Sequence, residues 1–321
     1  MAKVTLKDIA EKAGVSVALI SNYINQRPSA RMSAETKSKI DNAIKELDYH
    51  GSAIARSLRT GKSNIIGYVS EALRTEVSQN EMLAVFDAAA AENYQVFVAY
   101  ASAREKTLAN VRMLKERGCD AIIVSGYFDD DFSAEICRSF SPVVILNTHE
   151  SAVNRGKMLR YNYRCAVKEA IDYLKKQGHS EIFYQTSSDG SLEQRYLEFI
   201  SNFDESKVWY PPHDVPTLED WLDFRKKHPE CTAMLHLNDF MALRTIQLCN
   251  AAGMRVPQDL AVVGFDNIHA AECTSPSLAS VSRPLQEAAQ HAVKALLAQL
   301  RGEQYELPDS LPCKFIIRDS I

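Results

Sequence analysis

Val17, Ala18, Ser21 and Asn22 fall on one face of a short helical stretch, SVALISNYIN. An asparagine amide offers a donor and an acceptor side by side, a pattern that pairs best with the exposed edge of adenine in the major groove. Two short helices joined by a tight turn over Val4 to Asn25 must present that face. Thr5 is a good N-cap, and Asp8 three residues on resembles a capping box with Asp in place of Glu. Ile9, Ala10 and Ala13 share the inner face of the first helix. Gly14 stands where a left-handed residue ends it. Ser16 caps the second helix, whose apolar face reads as Leu19, Ile20 and Ile24. This is the layout of a DNA-reading helix-turn-helix, although the spacing alone equally fits an ordinary αα-hairpin.

Composition bounds the rest. A chain of 321 residues allows two or three domains, and 46% hydrophobic content is ample for a buried core. The net charge of −4 hides an asymmetry: residues 1–63 hold 11 basic and 6 acidic residues, a net of +5, so the remainder carries −9. A basic head on an acidic body implies that only the head meets a polyanion. The first residues, MAKVTLKDIAEKAG, lack the apolar core of a signal peptide, and no apolar run is long enough to span a membrane. Seven scattered cysteines without a C-x-x-C point to buried thiols in a reducing cytoplasm.

The stretch VTLKDIAEKAGVSVALISNYIN resembles the headpiece of the lactose-repressor (LacI/GalR) family, T-L-x-D-[IV]-A-x-x-A-G-V-S-x-x-[TL]-[VI]-S-x-x-[LI]-N, at nearly every fixed position. The resemblance continues with gaps to the end of the chain. It implies DNA contacts from Thr5, Leu6, Ser16, Val17, Ala18, Ser21, Asn22, Asn25, Arg31, Ser33 and Thr36.

After a breaker-rich loop, Ser33 caps a third helix in which Ile40, Ala43, Ile44 and Leu47 repeat at helical spacing, closing a three-helix core. Arg27, Arg31, Lys37 and Lys39 lie where phosphates can be met, or are solvated surface charges. His50 to Lys62, HGSAIARSLRTGK, resembles the family's hinge, which folds as a short helix in the minor groove when a dimer meets its operator. Ala55, Leu58 and Arg59 fall on its contact positions, with Leu58 at the apolar wedge that kinks DNA. Gly51-Ser52 replaces the usual Pro-Asn or Pro-Ser, which raises the entropy of the free hinge.

Residues 64–321 alternate short apolar runs with helical patterns. IIGYV (65–69), VFVAY (96–100), AIIVSG (121–126) and PVVILN (142–147) read as buried parallel strands, and the rhythm repeats in EIFYQT (181–186), TAMLHLND (232–239) and LAVVGFD (260–266). Two sets of βαβ units imply two Rossmann-like lobes. The resemblance adds that the chain crosses between lobes three times, as in periplasmic binding proteins.

Ligands of open parallel sheets bind beyond the carboxyl ends of the strands. Arg195, Asn238 and Asp266 sit there and match family ligand positions: the arginine of R-x-x-G-F, the asparagine of A-N-D-x-M-A and the aspartate of G-F-D. Glu71, where relatives have N-P-F-F, is counted with them as effector-binding. Asp239 reads as a cap of the following helix. Glu198, Asn147, Thr148 and Ala166 depart from family positions, so this pocket differs from common hexose pockets. Trp209 and Tyr210 either stack on a sugar or cover the core.

No G-x-G-x-x-G, Walker loop, G-x-S-x-G or H-E-x-x-H is present, the run 129–131 (DDD) reads as a helix cap, and His149, His179 and His269 read as loop or helix-end residues. An enzyme, a cofactor and a metal site are therefore not expected.

The sequence thus predicts an all-α helix-turn-helix head (1–50), a hinge helix or linker (51–63) and an α/β body of two Rossmann-like lobes (64–321). The expected function is that of a cytoplasmic, homodimeric, effector-responsive repressor of a palindromic double-stranded operator, with a small carbohydrate-like effector and no membrane partner. No heptad tail follows FIIRDSI, so a tetramer is not expected. The alternative is a sugar-binding protein without a regulatory role, for which the basic head has no use.

Overall fold

The computed structural model describes residues 4–24, 32–49, 57, 60–146, 157–187 and 194–321. The chain divides into two compact units, Met1–Ser63 and Asn64–Ile321. Asn25, Arg31, Ala55, Leu58, Arg59 and His149 lie outside the described residues.

The first unit contains α1 (Leu6–Ala13), α2 (Val17–Ile24) and α3 (Ala34–Glu46). The Thr5 backbone N–H and hydroxyl donate to the Asp8 carboxylate at 2.7 and 2.8 Å, fixing the start of α1. Gly14 ends it at φ 69°, a left-handed conformation that disfavours any side chain. Ile9, Ala10, Ala13, Ile20, Ile40 and Ala43 form the buried core. Each fully buried isoleucine contributes roughly 1.5–3 kcal/mol.

One expectation is corrected. The inner face of α2 is Ile20, Tyr23 and Ile24, not Leu19, because i, i+3 and i+4 from Ile20 are the positions that face α1 and α3. Leu19 is half-buried at the flank. Tyr23 reaches α3, where its hydroxyl donates to Asp41 at 2.6 Å; burial and that carboxylate push its pKa up to about 12.

The body begins with β1 (Ile65–Ser70), α4 (Glu76–Ala91), β2 (Gln95–Tyr100), α5 (Arg104–Glu116), β3 (Ala121–Ser125), α6 (Asp130–Ser139) and β4 (Val143–Leu146). It continues through β5 (Met158–Asn162), α7 (Tyr163–Lys176), β6 (Ile182–Gln185), α8 (Gln194–Ile200), β7 (Val208–Trp209), α9 (Leu218–Lys227), β8 (Ala233–His236) and α10 (Asp239–Ala251). The last elements are β9 (Ala261–Val263), α11 (His269–Cys273), β10 (Ser280–Ser282), α12 (Leu285–Arg301), β11 (Ser310–Pro312) and β12 (Lys314–Ile316).

Two parallel sheets result, in the orders β11-β5-β4-β3-β1-β2 and β7-β6-β8-β9, with β10 and β12 forming an antiparallel pair. Every residue of β3 and β4 is buried, as a strand covered on both faces requires. The chain leaves the first lobe after β5, returns with α12 and β11, and leaves again with β12. Those are the three crossings the resemblance implied. The seven strands read from apolar runs are present; β5, β7, β10, β11 and β12 are additional. No helix of the described residues is long and apolar enough to cross a membrane.

All seven cysteines are free thiols. Cys119, Cys231, Cys249 and Cys313 are buried and Cys137 is half-buried, whereas Cys165 and Cys273 are exposed, against the expectation of uniformly buried thiols.

Candidate functional site

In the head, Ser16, Val17 and Ala18 are exposed, while Ser21 and Asn22 are half-buried on the adjoining turn of α2. Val17 keeps 43% of its surface open. Ser16 is also a cap, its Oγ accepting from the Leu19 N–H at 3.2 Å. Ser33 caps α3 by accepting from the Thr36 N–H at 3.1 Å, and the two hydroxyls lie 2.9 Å apart. Thr5 is exposed and Leu6 packs partly on the core. Of the basic residues on α3, Lys39 pairs with Glu35 at 2.7 Å, an exposed pair of little energetic weight.

In the body, a cavity of about 260 Å³ lies between the lobes at the carboxyl ends of their strands. Thr75, Ser78 and Tyr127 line it from the first lobe; Arg195, Asn238 and Asp266 line it across the cleft, together with Arg283. Arg195, on α8, donates to the Leu237 carbonyl. Its guanidinium carbon lies 4.6 Å from the centre of the Phe265 ring and 5.4 Å from that of Tyr163, so two aromatic faces hold it. Asn238 is the N-cap of α10, its Oδ1 accepting from the Met241 N–H at 2.9 Å. Asp266 accepts from Arg283 at 2.7 Å.

Two placements differ from the sequence reading. Glu71 is not among the cavity's lining residues: it leaves β1 toward α5, where it accepts from the Thr107 hydroxyl at 2.8 Å. The start of α4, Thr75 to Ser78, lines the cavity in its place. Asp239 is not the cap of α10; that role is taken by Asn238. Asp239 is buried, accepting from the Ile268 N–H at 2.8 Å and the Ser280 hydroxyl at 2.5 Å. Its burial explains Gly264, since a Cβ there would stand 2.1 Å from Asp239 Oδ1. Burial also raises the Asp239 pKa to about 6.

Sequence reasoning missed Arg283, in SVSRP just after the three-residue β10, because no motif or periodicity marks it. It also missed the buried carboxylate of Glu81 on α4. Glu81 accepts from Tyr68 at 3.1 Å, from Ser125, and from Tyr161 at 2.9 Å. The Tyr161 ring in turn lies 5.7 Å from the Arg283 guanidinium. A chain of contacts thus runs from the first sheet through Glu81, Tyr161 and Arg283 to Asp266.

Trp209 does not line the cavity; it stacks on Phe224 with ring centres 4.6 Å apart in the core of the second lobe. Asp129 caps α6, accepting from the Phe132 N–H at 2.9 Å. Among the described residues no cluster of three or more His, Cys, Asp or Glu side chains is arranged to hold a metal ion.

Residues 5–52 match the family described as bacterial regulatory proteins, lacI family, and residues 171–321 match the periplasmic binding protein-like domain. The HTH-type transcriptional repressor PurR of Mannheimia succiniciproducens is 29% identical over 316 residues, covering 92% of each chain. The ribose operon repressor of Haemophilus influenzae is 28% identical over 315 residues, covering 93% of this chain and 92% of the relative. The crystal structure of the Lac repressor dimer bound to operator and an anti-inducer superposes with a TM-score of 0.83 at 23% identity over 99% of both chains.

Proposed function

From a chain whose head belongs to the lacI family of bacterial regulatory proteins and whose body is periplasmic binding protein-like, we propose an effector-responsive transcriptional repressor. Val17, Ala18 and Asn22 read base edges, with Ser21, Ser16, Thr5 and Leu6 beside them. Asn25, Arg31, Ser33 and Thr36 position the head on the backbone. Two heads of a homodimer dock on a palindromic site, since a protein two-fold mirrors an operator two-fold. The segment 51–63 carries Ala55, Leu58 and Arg59 into the minor groove between them.

A small polar effector fills the cavity at Arg195, Asn238 and Asp266. Its binding shifts the angle between the lobes and, through the hinge, the operator affinity: two sites coupled by a two-state element. The observation that carries this reading is a cavity built from strand ends of both lobes, in the same chain as an exposed, small-residue helix face. The Lac repressor, a dimer in its complex with operator and anti-inducer, supports the same arrangement. Such a protein works in the cytoplasm, beside the DNA.

The test is selection of bound duplexes from a random pool by the full chain and by residues 64–321. Recovery of a palindrome by the full chain alone is expected. Equal retention of DNA by both would remove the head from the function.

A further inference from the structure

Two of the three crossings between the lobes carry a cysteine. Cys165 stands in the first turn of α7, just past Asn162, where the chain leaves the first lobe. Cys313 is the residue between β11 and β12, where it leaves again. β11 runs parallel to β5 with Pro312 opposite Asn162, so both cysteines follow closely on paired positions of two crossing strands. The Asn162 carbonyl accepts from the Cys313 N–H at 3.2 Å and from the Cys165 thiol at 3.1 Å. The Cys165 sulfur also lies 3.6 Å from the Cys313 carbonyl oxygen. A disulfide needs residues this close, since it spans only about 4.4–6.8 Å between Cα atoms.

The two thiols differ in access. Cys165 is exposed, whereas Cys313 is buried in the same core cluster as Tyr161, Tyr163 and Ala166. Burial pushes the Cys313 thiol up to about 12, so its thiolate is scarce. The thiolate is the attacking species in disulfide chemistry. Cys165 is therefore the thiol that meets an oxidant first, and Cys313 closes the bond in a second, slower step. Neither is among the residues lining the interlobe cavity.

We propose that Cys165 and Cys313 form a reversible disulfide that staples the first crossing to the third, making the protein responsive to thiol oxidants. The oxidant is a small-molecule disulfide of the glutathione kind. The Cys165 thiolate attacks one of its sulfurs, the S–S bond breaks, and one small thiolate leaves. The Cys313 thiolate then attacks the Cys165 sulfur and expels the second. The two cysteine sulfurs are oxidised, the oxidant is reduced to two thiols, and the two cysteine protons end on them. A change of lobe angle needs the crossing segments to move, because hinges are the few residues that absorb the φ and ψ changes. A bond between two of those segments holds the lobes at one angle. That consequence rests on the effector-responsive reading just given; the bond itself does not.

The experiment uses the full chain carrying Cys273→Ser, which removes the other exposed thiol. The protein is incubated with oxidised glutathione, its remaining thiols are blocked with iodoacetamide, and its peptides are mapped by mass. A pair joined through Cys165 and Cys313, two hydrogens lighter than the separate peptides and released by dithiothreitol, is expected. Cys165→Ser in the same background should lose that pair while keeping the circular dichroism of the reduced parent. On the duplex selected by the reduced protein, oxidation of the parent should change affinity by at least about 5-fold, the lower end of allosteric coupling, and should not move that of Cys165→Ser. Glutathione retained on Cys165 with Cys313 free, a Cys165 link between two chains, or no reaction would overturn the disulfide. A formed link with unchanged affinity would overturn its regulatory role. The link is read by mass without DNA, and palindrome selection by the reduced chain reports on the repressor reading, so either can fail while the other stands.

Discussion

Arg283 donates to Asp266 at 2.7 Å while their side chains remain only 11% and 14% exposed, so an ion pair sits in the lining of the interlobe cavity. Removing one partner of a buried pair leaves the other charged and uncompensated, at a cost of about 3–5 kcal/mol. Asp266→Asn keeps the shape of the side chain at this position, where φ is 112°. It should lower the stability of the body by about 3 kcal/mol, the low end because the pair borders a cavity. Urea unfolding measures this, and a loss below about 1 kcal/mol would class the pair with exposed surface bridges.

Beneath that pair, the Glu81 carboxylate is 3% exposed and is held by three hydroxyl donors. Tyr161→Phe removes one donor while keeping the ring beside Arg283. The expected loss is about 1.5–3 kcal/mol, the range for hydrogen bonds to charged groups. Thermal or urea unfolding gives the stability. Effector affinity should change far less than in Arg195→Gln, because the phenol does not line the cavity.

These two relationships mark where the sequence stopped being legible. The head could be read because capping, the left-handed Gly14 and the inner-face spacing of α1 are local and confined to some twenty residues. The seven strands recognised were unbroken apolar runs, a signal that burial on both faces imposes. The five-residue β5, MLRYN, carries Arg160 and Asn162 and shows no such run, and β7, β10, β11 and β12 span only two or three residues each. Arg195, Asn238 and Asp266 were found through motif resemblance, and the fold gathers them around one cavity. Glu71 stands outside that cavity, bonded to Thr107 on α5, because the exit direction of a strand end is decided by packing that no short motif encodes. Arg283 and Asp266 are separated by β10, and Glu81 and Tyr161 by 80 positions, so neither pairing leaves a periodic trace.

For the head, Asn22→Arg tests whether α2 reads bases. Asparagine favours adenine through its N6 and N7 edge, and arginine favours guanine through O6 and N7. The substitution should shift the selected operator toward guanine at one position of each half-site. Discrimination at that base pair should change by about 1–3 kcal/mol, while binding to random DNA is kept or strengthened by the added charge. Selection from a random pool followed by sequencing supplies the measurement; an unaltered consensus would place Asn22 away from the bases.

The last prediction concerns pH. His236 is buried on β8, with Nδ1 3.0 Å from the Val263 carbonyl and Nε2 2.9 Å from the Thr245 hydroxyl. Burial lowers its pKa from 6.5 to about 4. The unfolded chain therefore takes up this proton first. The stability His236 contributes is complete above pH 6.5 and is lost as pH falls through about 4, to the extent of roughly 3 kcal/mol. Asp239 runs the other way. Burial raises its pKa from 3.8 to about 6, so its contribution is complete below pH 3.8 and is lost as pH rises through about 6, again by roughly 3 kcal/mol. Between pH 4 and 6 the two slopes oppose each other. Asp239→Asn leaves the His236 slope alone, so relative to the parent its stability should fall more steeply on acidification from pH 6.5 to 4. His236→Gln should show the reverse, gaining on the parent over the same interval. Urea midpoints at pH 4, 5 and 6.5 for the three proteins supply the comparison. Each variant is expected to be less stable than the parent at neutral pH, so the quantity that decides is the change of each difference with pH. Differences that stay constant across the interval would mean that neither buried group titrates there.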